Sequence, residues 1–171
     1  VSLTHDIDIA RRSVRGSVRL LFNRHVPGGF GGLLDSIGSR FFGADNPYFC
    51  VPKWTKLESK FGIKSTYFAF AGPRQHRDDP VYTPDMLSKF LENLKSNNCE
   101  IALHTGIGCY AGDKIAESKQ ALEQSSGIKL RGLRPHYLSA RFPEYWKAAS
   151  ECKFSYSSAL GFDDDIGFIE G

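Results

Sequence analysis

An α/β fold on a parallel sheet is predicted by two observations. Strand-like and helix-like runs alternate along the 171 residues. The polar side chains most suited to chemistry, Asp6, Asp8, His104, Arg134 and His136, fall where strand-like runs end. Alternation implies right-handed crossovers between parallel strands. In such sheets chemistry gathers at the strand ends.

The first strand is the apolar run leading into Asp6 and Asp8. Residues 9–23 carry Arg11, Arg12, Arg15 and Arg19, with Arg24 just beyond. Val14, Val18, Leu21 and Phe22 recur at helical spacing there, predicting an amphipathic helix that Gly16 weakens. Residues 27–45, rich in glycine and aromatics, predict an irregular excursion with a short helix. Pro52 suits a first helical turn. Trp54, Leu57 and Phe61 would form that helix's apolar face, with Gly62 ending it. Ile63 to Ala71 is β-branched and aromatic and predicts a strand. Thr83-Pro84 reads as an N-cap followed by proline at N1. Met86, Leu87, Phe90, Leu91 and Leu94 make an apolar helical stripe.

Cys99 to His104 predicts the third strand, 113–124 a helix, and Leu130 to Leu133 a fourth strand. Pro143 opens a helix carrying Trp146 and Ala149. Phe154–Tyr156 and Gly167–Ile169 are further short strands.

The length fits one domain with a real core. Hydrophobic content of 41% and charged content of 24% are ordinary for a globular protein. A net charge of +3 gives no argument for nucleic acid. No run is long enough to span a bilayer, and no signal peptide is visible. The chain begins with Val in a strand, so it reads as a fragment. The residues fix neither compartment nor oligomeric state. The four cysteines lack a Cys-x-x-Cys pair, which argues against a zinc ribbon or redox dithiol. They read as buried free thiols, with a Cys99–Cys109 disulfide as the alternative.

Asp6 and Asp8 point the same way from one strand. Adjacent like charges are costly unless a cation or shared proton relieves them. A metal ligand beside a general base has this ground plan. Carboxylate, imidazole and guanidinium arriving from three strand ends are hard to explain by core packing.

These residues sit in an ordered set of motifs: Thr4-His5-Asp6-Ile7-Asp8, Gly62 to Phe68 (GIKSTYF), Glu100 to Thr105 (EIALHT), Gly132 to Tyr137 (GLRPHY), and Phe154 to Ser158 (FSYSS). The set resembles the polysaccharide deacetylases, the NodB-homology domain of carbohydrate esterase family four, in its Asp-x-Asp variant. The resemblance runs through nearly the whole chain. It implies a distorted (β/α) barrel of seven or eight strands, with 1–171 as one domain lacking the last of them.

By that resemblance, the reaction is metal-dependent hydrolysis of an N- or O-acetyl group on a sugar. Asp6 would be the base, paired with Arg134. Asp8 and His104 would be metal ligands. The backbone N–H of Tyr137 would face the oxyanion. Arg74 and Tyr110 are expected to contact the carbohydrate. A divalent ion, zinc above all, suits carboxylate plus imidazole and activates water.

The match breaks in two places. The family's second metal histidine, four residues after the first, is here Gly108. His136 stands where the family has proline; it either replaces that ligand or only hydrogen-bonds substrate or backbone. The family's late histidine acid has no counterpart, and His5 faces the wrong side of its strand. His25 and His76 read as loop residues, Asp163-Asp164-Asp165 as a solvated turn, and Ser157 and Ser158 as strand-end packing. A catalytically inactive glycan- or partner-binding relative is the alternative function. If the arginine-rich helix binds phosphate, the substrate is a sugar on a lipid or nucleotide phosphate.

Overall fold

The computed structural model describes residues 3–8, 34, 37–38, 50–81 and 84–161. The expected basic helix, Thr83, His25, Asp163–Asp165 and the strand at 167–169 lie outside the described residues, as does most of 27–45. The elements are β1 (Thr4–Ile7), α1 (Val51–Ser59), β2 (Thr66–Phe70), α2 (Pro84–Ser96), β3 (Glu100–Thr105), α3 (Gly112–Ser126), β4 (Gly132–Pro135), a 3-10 turn (His136–Leu138), α4 (Glu144–Glu151) and β5 (Tyr156–Ser157).

All four strand pairings are parallel, in the order β1-β2-β3-β4-β5. Each crossover advances one strand in the same direction. With a constant hand, every helix then falls on one face of the sheet. The helices do form one such layer: α1 packs on α2, α2 on α3 and α3 on α4. The core between the layers takes alternate residues from β1 to β4: Ile7, Tyr67, Ala69, Ile101, Leu103 and Leu133. These meet Phe90, Leu91, Leu94, Ile115, Leu122 and Tyr145 from the helices.

The other strand residues line the opposite face, where Asp6 pairs in register with Phe68, Phe68 with Ala102, and His104 with Arg134. That face is concave. β1 and β4 have two strands between them, about 14 Å in a flat sheet, and side chains rise roughly perpendicular to a sheet. Yet Arg134 Nη1 reaches Asp6 Oδ1 at 2.7 Å. The sheet must curl for these side chains to meet, which is the curvature of a barrel wall.

One packing expectation fails. α1 buries Val51, Thr55 and Glu58, whereas Trp54, Leu57 and Phe61 are exposed, Phe61 at 72%. Glu58 is the cause. Its Oε1 accepts from Ser65 Oγ at 2.7 Å and His5 Nε2 at 2.5 Å, and its Oε2 from the Tyr67 hydroxyl at 3.2 Å. A carboxylate satisfied by three donors under the helix fixes its rotation more firmly than the neighbouring apolar row.

Candidate functional site

Asp6 and Asp8 leave β1 on the concave side, as their spacing requires. His104 is the penultimate residue of β3, and Arg134 lies within β4. The Arg134 guanidinium rests 4.2 Å from the Phe68 ring centre. Besides Asp6, it donates to Thr4 Oγ1 at 3.0 Å, Ser158 Oγ at 2.7 Å and the Ser158 carbonyl at 3.3 Å. Its planar fork thus ties β4 to β1 and to the residue that follows β5. Asp6 Oδ1 is thereby committed to the ion pair.

Two of these partners, Thr4 and Ser158, were not foreseen as site residues. Strand alternation was the available signal. Thr4 precedes Asp6 by two, and Ser158 follows Tyr156 by two, so each falls on the concave face.

A second cluster lies at the same rim. His104 Nε2 and His136 Nδ1 are 2.9 Å apart. Asp8 Oδ1 is 3.2 Å from the first and 3.3 Å from the second. The other nitrogen of each ring fixes its tautomer. His104 Nδ1–H donates to the Arg134 carbonyl at 3.0 Å, and His136 Nε2–H to the Asp78 carbonyl at 3.2 Å. Both inward nitrogens are then left with lone pairs facing each other and a carboxylate oxygen. Only a cation or a shared proton makes such a contact favourable.

The spacing fits a cation. Ligands at about 2.0–2.1 Å from a tetrahedral ion stand about 3.3 Å from one another, close to all three separations. A backbone carbonyl on the outward nitrogen is the usual support for a metal-ligating histidine. Both histidines are buried, at 1% and 5%. With protons rather than a cation at the cluster, burial pushes the Asp8 carboxyl up, but the His104 hydrogen bond and the charges of both histidines outweigh it and hold the carboxyl below its ordinary value.

The backbone explains the departure at Gly108. Its φ is +74°, and a Cβ built there meets no atom within 4 Å. A side chain at 108 would adopt a left-handed conformation at a cost of about 1–3 kcal/mol and point into open space.

After His136 the chain takes two consecutive left-handed residues, Tyr137 at φ 55° and Leu138 at φ 50°. Tyr137 is exposed, with its ring centre 4.3 Å from that of His136. Ser139 closes the turn by donating its N–H to the His136 carbonyl at 3.1 Å, and its hydroxyl lies 3.2 Å from the Tyr110 hydroxyl. Tyr110, expected on substrate, thus braces this turn. Arg74 donates within its own loop to the Arg77 carbonyl. It also lines a cavity of about 410 Å³ with Phe70, Pro80 and Leu87.

His5 faces the helix layer, bonded to Glu58 and stacked on Tyr67 at 4.8 Å. His76 accepts from the Asp78 N–H at 3.2 Å. All four cysteines are free, so no Cys99–Cys109 disulfide forms. Burial pushes the Cys109 thiol up to about 11.

No family model and no curated protein matches the chain. Solved structures do. A putative polysaccharide deacetylase from Mycobacterium smegmatis is 20% identical with a TM-score of 0.53, over 93% of this chain and 50% of that one. A CE4 family pseudoenzyme from Bacillus anthracis is 19% identical with a TM-score of 0.48, over 63% of this chain and 37% of that one. The protein IcaB from Ammonifex degensii is 12% identical with a TM-score of 0.49, over 91% of this chain and 82% of that one. The chain spans half or less of the length of the first two. The Mycobacterium likeness, the one-directional strand order and the concave sheet agree: this chain has the fold of the polysaccharide deacetylases.

Proposed function

We propose that the chain is a metal-dependent hydrolase that removes an acetyl group from an N- or O-acetylated sugar in a polysaccharide or glycan precursor. The observation that carries this reading is the inward convergence of Asp8 Oδ1, His104 Nε2 and His136 Nδ1 beside the Asp6–Arg134 pair. Asp8, His104 and His136 would hold one divalent ion, zinc in view of the mixed imidazole and carboxylate donors. When bound, the ion supplies Lewis acidity and lowers the pKa of water.

The chain's own residues do the rest. Asp6 keeps Oδ1 on Arg134 and offers Oδ2 as the base that takes the proton of the attacking water. Arg134 holds that carboxylate in place through its fork. The strained Tyr137–Leu138 turn orients the Tyr137 N–H as a donor to the tetrahedral oxyanion.

The test is zinc binding by calorimetry together with acetate release from an acetylated chito-oligosaccharide. Wild-type protein should bind one zinc, and His104→Ala and His136→Ala should each lose it. Zinc binding that survives His136→Ala removes His136 from the ligand set. The glycine at 108 keeps a second reading in view, a glycan-binding module without turnover. Tight zinc and glycan binding with no acetate release would select it.

A further inference from the structure

A buried carboxylate behind the cluster has no part in the mechanism above. Asp79, 2% exposed, lies in the loop between β2 and α2. Its Oδ2 accepts the N–H groups of Gln75 at 2.8 Å and His76 at 2.7 Å. Its Oδ1 accepts the N–H of Ile107 at 2.7 Å. One carboxylate therefore curls its own loop and clips it to the loop after β3. Gly106 makes room for this: a Cβ there would come within 2.9 Å of Asp79 Oδ2. The residue before Asp79 supplies the carbonyl that receives His136 Nε2–H.

We infer that Asp79 is a positioning residue for the metal centre: by clamping the 75–79 turn it aims the Asp78 carbonyl at His136 and so turns Nδ1 inward beside His104 and Asp8. The inference rests on the proposed metal reading, and its geometry stands apart from it. Loss of an outer-shell partner typically lowers metal affinity ten- to a hundredfold. An asparagine at 79 keeps one acceptor oxygen but sets an NH2 against either the Ile107 N–H or the N–H groups of Gln75 and His76. The turn then loosens while the side chain keeps its shape.

The test uses Asp79→Asn and Gly106→Ala in the full chain, the second pressing a methyl against an intact carboxylate. Two quantities are read, zinc affinity by chelator competition and solvent exchange of the outward ring protons by nitrogen-correlated NMR of metal-free protein. Both variants, folded by circular dichroism, should bind zinc about ten- to a hundredfold more weakly. The His136 Nε2 proton should exchange faster, while the His104 Nδ1 proton, held by Arg134, keeps its wild-type rate. Unchanged affinity and exchange in the folded variants would overturn the assignment. If wild-type protein binds no zinc, the metal reading falls, and proton exchange alone decides the role of Asp79. Unfolding of both variants would also overturn it, because Asp79 would then be a clamp for the whole fold.

Discussion

Individual carboxylates here are defined by the donors around them. Burial pushes the Asp79 carboxyl up, and the three backbone N–H bonds more than reverse this, leaving it below the ordinary value of 3.8. A carboxyl lowered in the folded state stabilises the fold above its unfolded value and loses that contribution as pH falls through the folded one. Wild-type unfolding free energy should therefore drop as pH is taken below about 4, and Asp79→Asn should flatten that limb; urea titrations between pH 7 and pH 2 measure it. Equal limbs would mean other groups control the acid transition. At this scale the sequence was informative where chemistry is unusual. Asp6, Asp8, His104 and Arg134 stood out because charge at strand ends needs a reason. Asp79 did not, since its partners are backbone N–H groups that leave no mark on residue type. Of the two roles open for His136, the backbone bond is present through Nε2, and Nδ1 is left facing the cluster, where the proposed ligand role would place it.

Among the described residues, strands and helices fell near their expected places, and what went wrong was rotation. Apolar spacing pointed to the Trp54, Leu57, Phe61 face of α1, while Glu58 and its three donors turned the helix onto Val51 and Thr55. Buried carboxylates are rare enough that sequence patterning discounts them. Glu58→Ala should cost about 2–4 kcal/mol in chemical unfolding, because it strands the Ser65 and Tyr67 hydroxyls. A loss below 1 kcal/mol would mean that water replaces the carboxylate. The β4–β5 junction carries a second constraint. A Cβ on Gly132 would lie 2.0 Å from Tyr156 Cζ, so the tyrosine ring occupies the space a side chain would need. Gly132→Ala should destabilise by about 1–3 kcal/mol through overpacking. It should also lower the tyrosine pKa, pushed up to about 12 by burial and by the Glu100 carboxylate. Ultraviolet titration of that tyrosine reads the displacement.

For the molecule as a whole, strand–helix alternation was legible, because hydrophobic period and glycine or proline punctuation are local. Sheet order and curvature were not legible in local pattern, since they depend on pairs such as Arg134 and Asp6, 128 positions apart; the barrel and that pair were expected only from the ordered motifs and the resemblance they carry. A donor set assembled from β1, β3 and β4 exists only in the folded chain, so any ion it binds stabilises that state. Zinc at a hundred times its dissociation constant should add about 2.7 kcal/mol to unfolding free energy. Calorimetric scans should show a rise in Tm that Asp8→Ala abolishes. No rise at saturating zinc would remove the linkage.

The Arg134–Asp6 pair is the chord of an arc. Among the described residues β1 has one neighbouring strand, so the sheet is held in its bend partly by this chord rather than by backbone ladders alone. The three cluster residues ride on that arc, and their bite is set by its radius. A lysine at 134 keeps the positive charge but cannot hold Thr4, Asp6 and Ser158 together. The arc should then relax and the bite widen, although position 134 itself touches none of the three cluster side chains through its guanidinium, which is spent on Asp6, Thr4 and Ser158. Ion affinity at the proposed centre would thus gauge the curvature of the sheet.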